Sequence, residues 1–199
     1  MQPAYYEDIN QIKKKIWLML NDAVKNRNSQ FRIPTFICGD GSNIDGRIVV
    51  LRKSDEKNNL VQFHSDIRSD KIQLLKNNPN AALLFYDKDE KIQVRLKVNC
   101  VINHKNDITK ISWEKTQHIS RKCYLVDNGP GTESDIPTSG LKPELDNFDY
   151  TKEQSEEGYK NFTVIQCKIK SIEWLYLAAK AHRRAKFDLE SKKDTWLVP

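Results

Sequence analysis

The stretch Lys91-Ile92-Gln93-Val94-Arg95-Leu96-Lys97-Val98-Asn99-Cys100-Val101-Ile102-Asn103-His104 decides the fold class. Ile92, Val94, Leu96, Val98, Cys100 and Ile102 fall at every second position, the period of a strand with one buried face. Gln93, Arg95, Lys97 and Asn99 take the other face, which presents a polar ladder to something other than the core. Working outward, residues 81–86 form a continuous apolar run. Further strand-like runs cover 31–38, 47–53, 59–64, 162–177 and 182–189, bounded by turn residues such as Asp40-Gly41-Ser42-Asn43. Six or seven strands with only short helices between them predict a mainly β, α+β chain built as an antiparallel barrel.

The helices are fewer. Ile9, Ile12, Ile16, Leu20 and Val24 recur at three- and four-residue spacing, which predicts an amphipathic helix over about 6–25. Asp66 reads as the N-cap of a short helix over 68–77 that Pro79 ends, and helical texture returns at 107–119. Residues 128–157, rich in Gly and Pro, read as a surface excursion, and strands over 162–199 complete the chain. A length of 199 residues fits one domain spanning 1–199, and four Trp, seven Tyr and seven Phe supply a core despite a mean hydropathy of −0.70.

The net charge of +6 favours an anionic partner: nucleic acid, an anionic membrane or a phosphorylated small molecule. Lys and Arg are interspersed with Asp and Glu, and Lys13-Lys14-Lys15 reads as a solvated helix face, so nucleic acid is not expected; a nucleic-acid-binding β-barrel stands as a remote alternative. The run Ile16-Trp17-Leu18-Met19-Leu20 is too short to span a bilayer, so no membrane partner is expected. Cys38, Cys100, Cys123 and Cys167 lack metal-ligand spacing, which predicts no metal and a reduced, cytoplasmic compartment.

The chemistry concentrates in Ser65-Asp66-Ile67-Arg68-Ser69-Asp70-Lys71, where hydroxyls, a Lys and free backbone N–H groups meet at a strand-to-helix junction. Such a junction suits a phosphate, and its residues suit helix capping equally well. Order along the chain separates the two. Arg47-Ile48-Val49-Val50-Leu51-Arg52, then Ser65, Ser69-Asp70-Lys71, then Gln93, Glu173-Trp174-Leu175 and His182-Arg183-Arg184 resemble the motifs of the pyridoxamine 5′-phosphate oxidase family, in a divergent branch.

The resemblance implies an FMN-binding split β-barrel, a homodimer with FMN at the subunit interface, and hydride transfer from a small amine or alcohol substrate to FMN. It implies cofactor contacts from Arg47, Val49, Val50, Leu51, Arg52, His64, Ser65, Arg68, Ser69, Lys71, Gln93, Trp174 and Arg184, and substrate contacts from Arg52, Lys180 and His182. No protein nucleophile is implied, because the flavin carries the chemistry. Three departures stand out. Asp70 occupies a position where the family has Arg, with Arg68 as its expected replacement; Arg52 stands where the oxidases have Lys; and of the family's substrate-phosphate set only Ser120 or Arg121 is available within 111–121. A non-catalytic flavin protein or an FMN reductase of the same fold is the alternative.

Overall fold

The computed structural model describes residues 4–146, 150–179 and 181–199. After a 3-10 turn over Ala4–Glu7, helix α1 spans Ile9–Lys25. It starts later than periodicity predicts because the Asp8 carboxylate accepts the N–H groups of Asn10 and Gln11, which fixes the helix origin. Ile12, Ile16, Trp17, Leu20 and Ala23 then pack inward.

Nine strands follow: β1 Thr35–Gly39, β2 Ile44–Ile48, β3 Leu51–Asp55, β4 Leu60–Asp66, β5 Asn80–Asp87, β6 Ile92–His104, β7 Phe162–Tyr176, β8 Arg183–Asp188 and β9 Lys193–Leu197. Every pairing is antiparallel, in the order β2-β1-β5-β6-β7-β4-β3, with β8 on β7 and β9 on β8. Helices α2 Asp70–Asn77, α3 Asp107–Glu114, α4 His118–Arg121, α5 Pro143–Asp146 and α6 Lys152–Glu156 fill the connections. The antiparallel, mainly β architecture is as the sequence indicates. Nine strands stand against the six or seven expected, because 47–53 is cut at Val49-Val50 and the chain end pairs with β8.

Strand β6 seats the core as its alternation requires: Ile92, Val94, Leu96, Val98 and Cys100 are buried in one cluster with Phe36, Phe63, Phe85 and Trp174. On the neighbouring strand Cys167 faces Cys100, both as free thiols with sulfurs 3.6 Å apart. Beyond Cys100 the pattern inverts, and Asn103 is buried while Ile102 is only partly so.

A second cluster explains the inversion. Phe162 and Val164 of β7 point away from the main core and are covered by Trp113 and Tyr124. The expected excursion over 128–157 is largely exposed, with Tyr150 and Ser155 buried, while α3 and Tyr124 before it close over the outer face of β7. The predicted helix over 107–119 also breaks into α3 and α4, separated by residues 115–117.

Candidate functional site

The two edges of the sheet path, β2 and β3, are consecutive in the chain and joined only by Val49 and Val50, yet no pairing between them occurs among the described residues. The barrel is split there. Val49 donates its N–H to the Pro34 carbonyl at 3.0 Å, and the side chains of Val49 and Leu51 are buried, so both present only backbone to a ligand. Leu51 pairs with Phe63 and Lys53 with Gln62, which leaves Arg52 as the extra residue of a β-bulge. A bulge re-aims the side chain it carries. Arg52 accordingly points into a cleft, with burial drawing its pKa down.

Beside the split lies a partly buried cationic cluster. Arg47 sits opposite Phe36 in the β1–β2 register and shares its inward face. Lys71, in the first turn of α2, is 6% exposed and donates to the Ser65 hydroxyl at 2.8 Å. Burial, and then the nearby Arg47, push the Lys71 pKa from 10.5 to about 8. Arg47 is ion-paired with Asp45, while its Nε is buried without a partner. Ser69 is the N-cap residue of α2 and is buried with no cap bond from its side chain. Two hydroxyls, an ammonium, a guanidinium and a helix start thus converge, the donor set of a phosphate site.

Two expectations for this segment are corrected. Asp66 does not cap the helix; its carboxylate accepts the Arg68 N–H at 2.8 Å and pairs with the Arg68 guanidinium. Arg68 in turn is withdrawn from the phosphate cluster. Its Nε and Nη2 bond Asp66, and its Nη1 and Nη2 reach the carbonyls of Val126 and Asp127, so the guanidinium ties the 126–127 loop to the strand end. Neither residue replaces the donor absent at Asp70.

The cleft into which Arg52 points has a volume of about 640 Å³ and lies between β3, β4, α3 and the end of α1. Lys25, Arg27, Arg32, Arg52, Lys53 and Lys115 line it, and among the described residues no Asp or Glu does. His64 also lines it, with its pKa pushed down to about 3 by burial and then by Arg52, so the imidazole stays neutral. Gln62 donates to the Ser112 hydroxyl at 3.3 Å and ties the floor to α3. Of the two residues expected to grip a substrate, Ser120 lines the cleft and Arg121 does not. Arg121 is 3% exposed, pairs with Glu156, donates to the Trp113 carbonyl at 2.7 Å and lies over the Trp113 ring. Its role is to hold the second core.

The remaining expected contacts lie elsewhere. Gln93, Leu175 and Arg184 form one row across β6, β7 and β8 on the outer face of the sheet, where Arg184 donates to Glu173 at 3.0 Å and Arg95 pairs with the same carboxylate. Trp174 points the other way. It is 1% exposed and packs on Tyr6 in the protomer's own core. His182 is exposed and precedes β8, so strand alternation does not place it beside Arg184; its Nδ1 lies 3.3 Å from the Tyr176 carbonyl. Lys180 lies outside the described residues.

Among the described residues no group of three or more His, Cys, Asp or Glu side chains could hold a metal ion, and no helix is long and apolar enough to cross a membrane.

Residues 14–104 match the family described as pyridoxamine 5′-phosphate oxidase, FMN-binding domain. The fold is similar to that of a pyridoxamine 5′-phosphate oxidase-related, FMN binding protein from Nostoc punctiforme, with a TM-score of 0.72, 17% identity and 100% of both chains covered. It is also similar to PhzG from Burkholderia lata, with a TM-score of 0.70 and 15% identity over 100% of this chain and 98% of that one. No curated protein sequence matches the chain.

Proposed function

We propose that this chain, a member of the pyridoxamine 5′-phosphate oxidase FMN-binding family, works as an FMN-dependent oxidoreductase on a small anionic molecule. One observation carries the reading. The Lys71 ammonium is buried beside Arg47, its hydrogen bond goes to a neutral hydroxyl, and among the described residues no carboxylate lies within ion-pair distance, Asp66 and Asp70 acting only from farther off. A buried cation without an anion is costly, and the FMN phosphate supplies that anion.

Arg47, Ser65, Ser69 and Lys71 would hold the phosphate in this scheme, and the backbone of Val49, Val50, Leu51 and Arg52 would offer its N–H and carbonyl groups to the ring. When bound, FMN supplies a two-electron hydride acceptor. The protein's own work is positional. Arg52, with Lys115 and Ser120 across the cleft, orients an anionic substrate group by charge-assisted hydrogen bonds. Neutral His64 offers the cleft a hydrogen-bonding group that keeps one protonation state across ordinary pH.

Arg47 and Ser65 belong to the inner face of the sheet, whereas Gln93 and Arg184 belong to the outer face. One ligand cannot touch both sets in a single protomer without crossing the sheet. We therefore assign Gln93 and Arg184 to the flavin of a second copy in a homodimer, and treat the whole chain as one domain.

The test is direct. Purified protein should be yellow and release a molecule with the mass of FMN on denaturation. The flavin should bleach anaerobically with a phosphorylated or carboxylated amine or alcohol. Colourless protein that takes up no FMN would overturn the cofactor assignment, and a flavin that no donor reduces would leave a flavin carrier.

A further inference from the structure

We propose that the cleft takes a substrate bearing two separate anionic groups, one held by Arg52 and Lys115 and the other by a second cationic pole of Lys25, Arg27 and Arg32 at the end of α1. This rests on the reading of the cleft as the substrate site beside the flavin.

The second pole exceeds what the helix needs. A helix C-terminus attracts cations to its unpaired carbonyls. Arg32 meets that need, donating from Nη1 to the carbonyls of Ala23 and Val24, each at 3.0 Å. Lys25 and Arg27 add charge beyond it. Arg27 donates to the Gln117 side chain at 2.9 Å, a neutral amide on the link between α3 and α4, so its charge is fixed on the cleft wall.

Composition does not account for this lining. The chain carries 27 acidic against 33 basic residues, yet among the described residues the cleft lining has six cations and no acid. Both poles share one field, because Arg32 and Arg27 each add to the depression of the Arg52 pKa that burial begins. An anion at one pole leaves the other uncompensated, whereas a ligand with phosphate or carboxylate groups at two ends neutralises both. A volume of about 640 Å³ is ample for a small molecule with two such ends.

The experiment compares α,ω-alkane bisphosphonates, from methylene to hexamethylene, with alkyl monophosphonates of matched length. Binding is read by calorimetry on the protein as isolated, and flavin content is read separately from its visible spectrum. At least one bisphosphonate should bind at least about tenfold more tightly than its monophosphonate. That ratio should fall toward unity in the Lys25→Gln/Arg27→Gln double variant and persist in Arg27→Lys. Equal affinities, no binding of either ligand, or a ratio unchanged in the double variant overturns the second pole. Each of these results in flavin-loaded protein leaves the FMN assignment standing, while tight bisphosphonate binding by protein that takes up no flavin would remove FMN and keep the pole.

Discussion

Replacing Lys71 by Met separates the cost of the buried charge from its use. The ammonium has a pKa of about 8 in the fold against 10.5 in an unfolded chain, which corresponds to about 3 kcal/mol of destabilisation at neutral pH. The sign follows from proton counts. Between pH 8 and 10.5 the unfolded chain binds the proton that the folded one has released, so flavin-free protein should gain stability as pH rises through that window. Lys71→Met should remove this dependence. It should also stabilise the flavin-free form at pH 7, by up to about 3 kcal/mol less about 1 for the lost Ser65 bond.

FMN binding should move the opposite way. Loss of a charge-assisted phosphate contact of about 1.5–3 kcal/mol weakens affinity by about 10- to 150-fold. Urea unfolding of flavin-free protein at neutral and alkaline pH, with a flavin-fluorescence titration, measures both effects. If wild type and Lys71→Met respond alike to pH, or bind FMN within about twofold of each other, Lys71 is not the uncompensated cation of a phosphate site.

Arg68→Leu should release the 126–127 loop and leave Asp66 buried without its partner, at a cost of about 2–4 kcal/mol; faster hydrogen exchange and proteolysis confined to that loop would identify the tether. Arg121→Leu should cost about 2 kcal/mol, the exposed side of Glu156 limiting the loss, and should increase cleavage within 107–161 while β6 stays protected. Subunit mixing tests the interface. Lys71→Glu and Arg184→Glu each should lose flavin alone, yet a refolded mixture should recover it in about a quarter of the sites, because a mixed dimer assembles one intact site from opposite subunits. No recovery would place both residues in one subunit's site.

Alternation along β6 and the short helices between strands were enough to set an antiparallel, mainly β fold, since period two is a local property of the backbone. Ser65, Ser69 and Lys71 could be read as a junction suited to a phosphate for a related reason, since a helix start is built from neighbours in sequence, and it was the resemblance in motif order that implied FMN. Residues whose role depends on which face is covered could not be read this way. Trp174 fell in the core, Arg68 and Arg121 became ties between segments, and Trp113 and Tyr124 joined Phe162 and Val164 in a second core, each through contacts spanning tens of residues.

The cleft shows the same limit most clearly. Lys25, Arg27, Arg32, Arg52 and Lys115 come from separate stretches, and no motif contains them together. The sequence by itself determined most of the strands, the charge and a strand-to-helix junction whose residues suit a phosphate. Only the tertiary structure decided where the barrel splits, which cations face one cavity, and which face of the sheet each candidate residue occupies, because those follow from long-range register and packing.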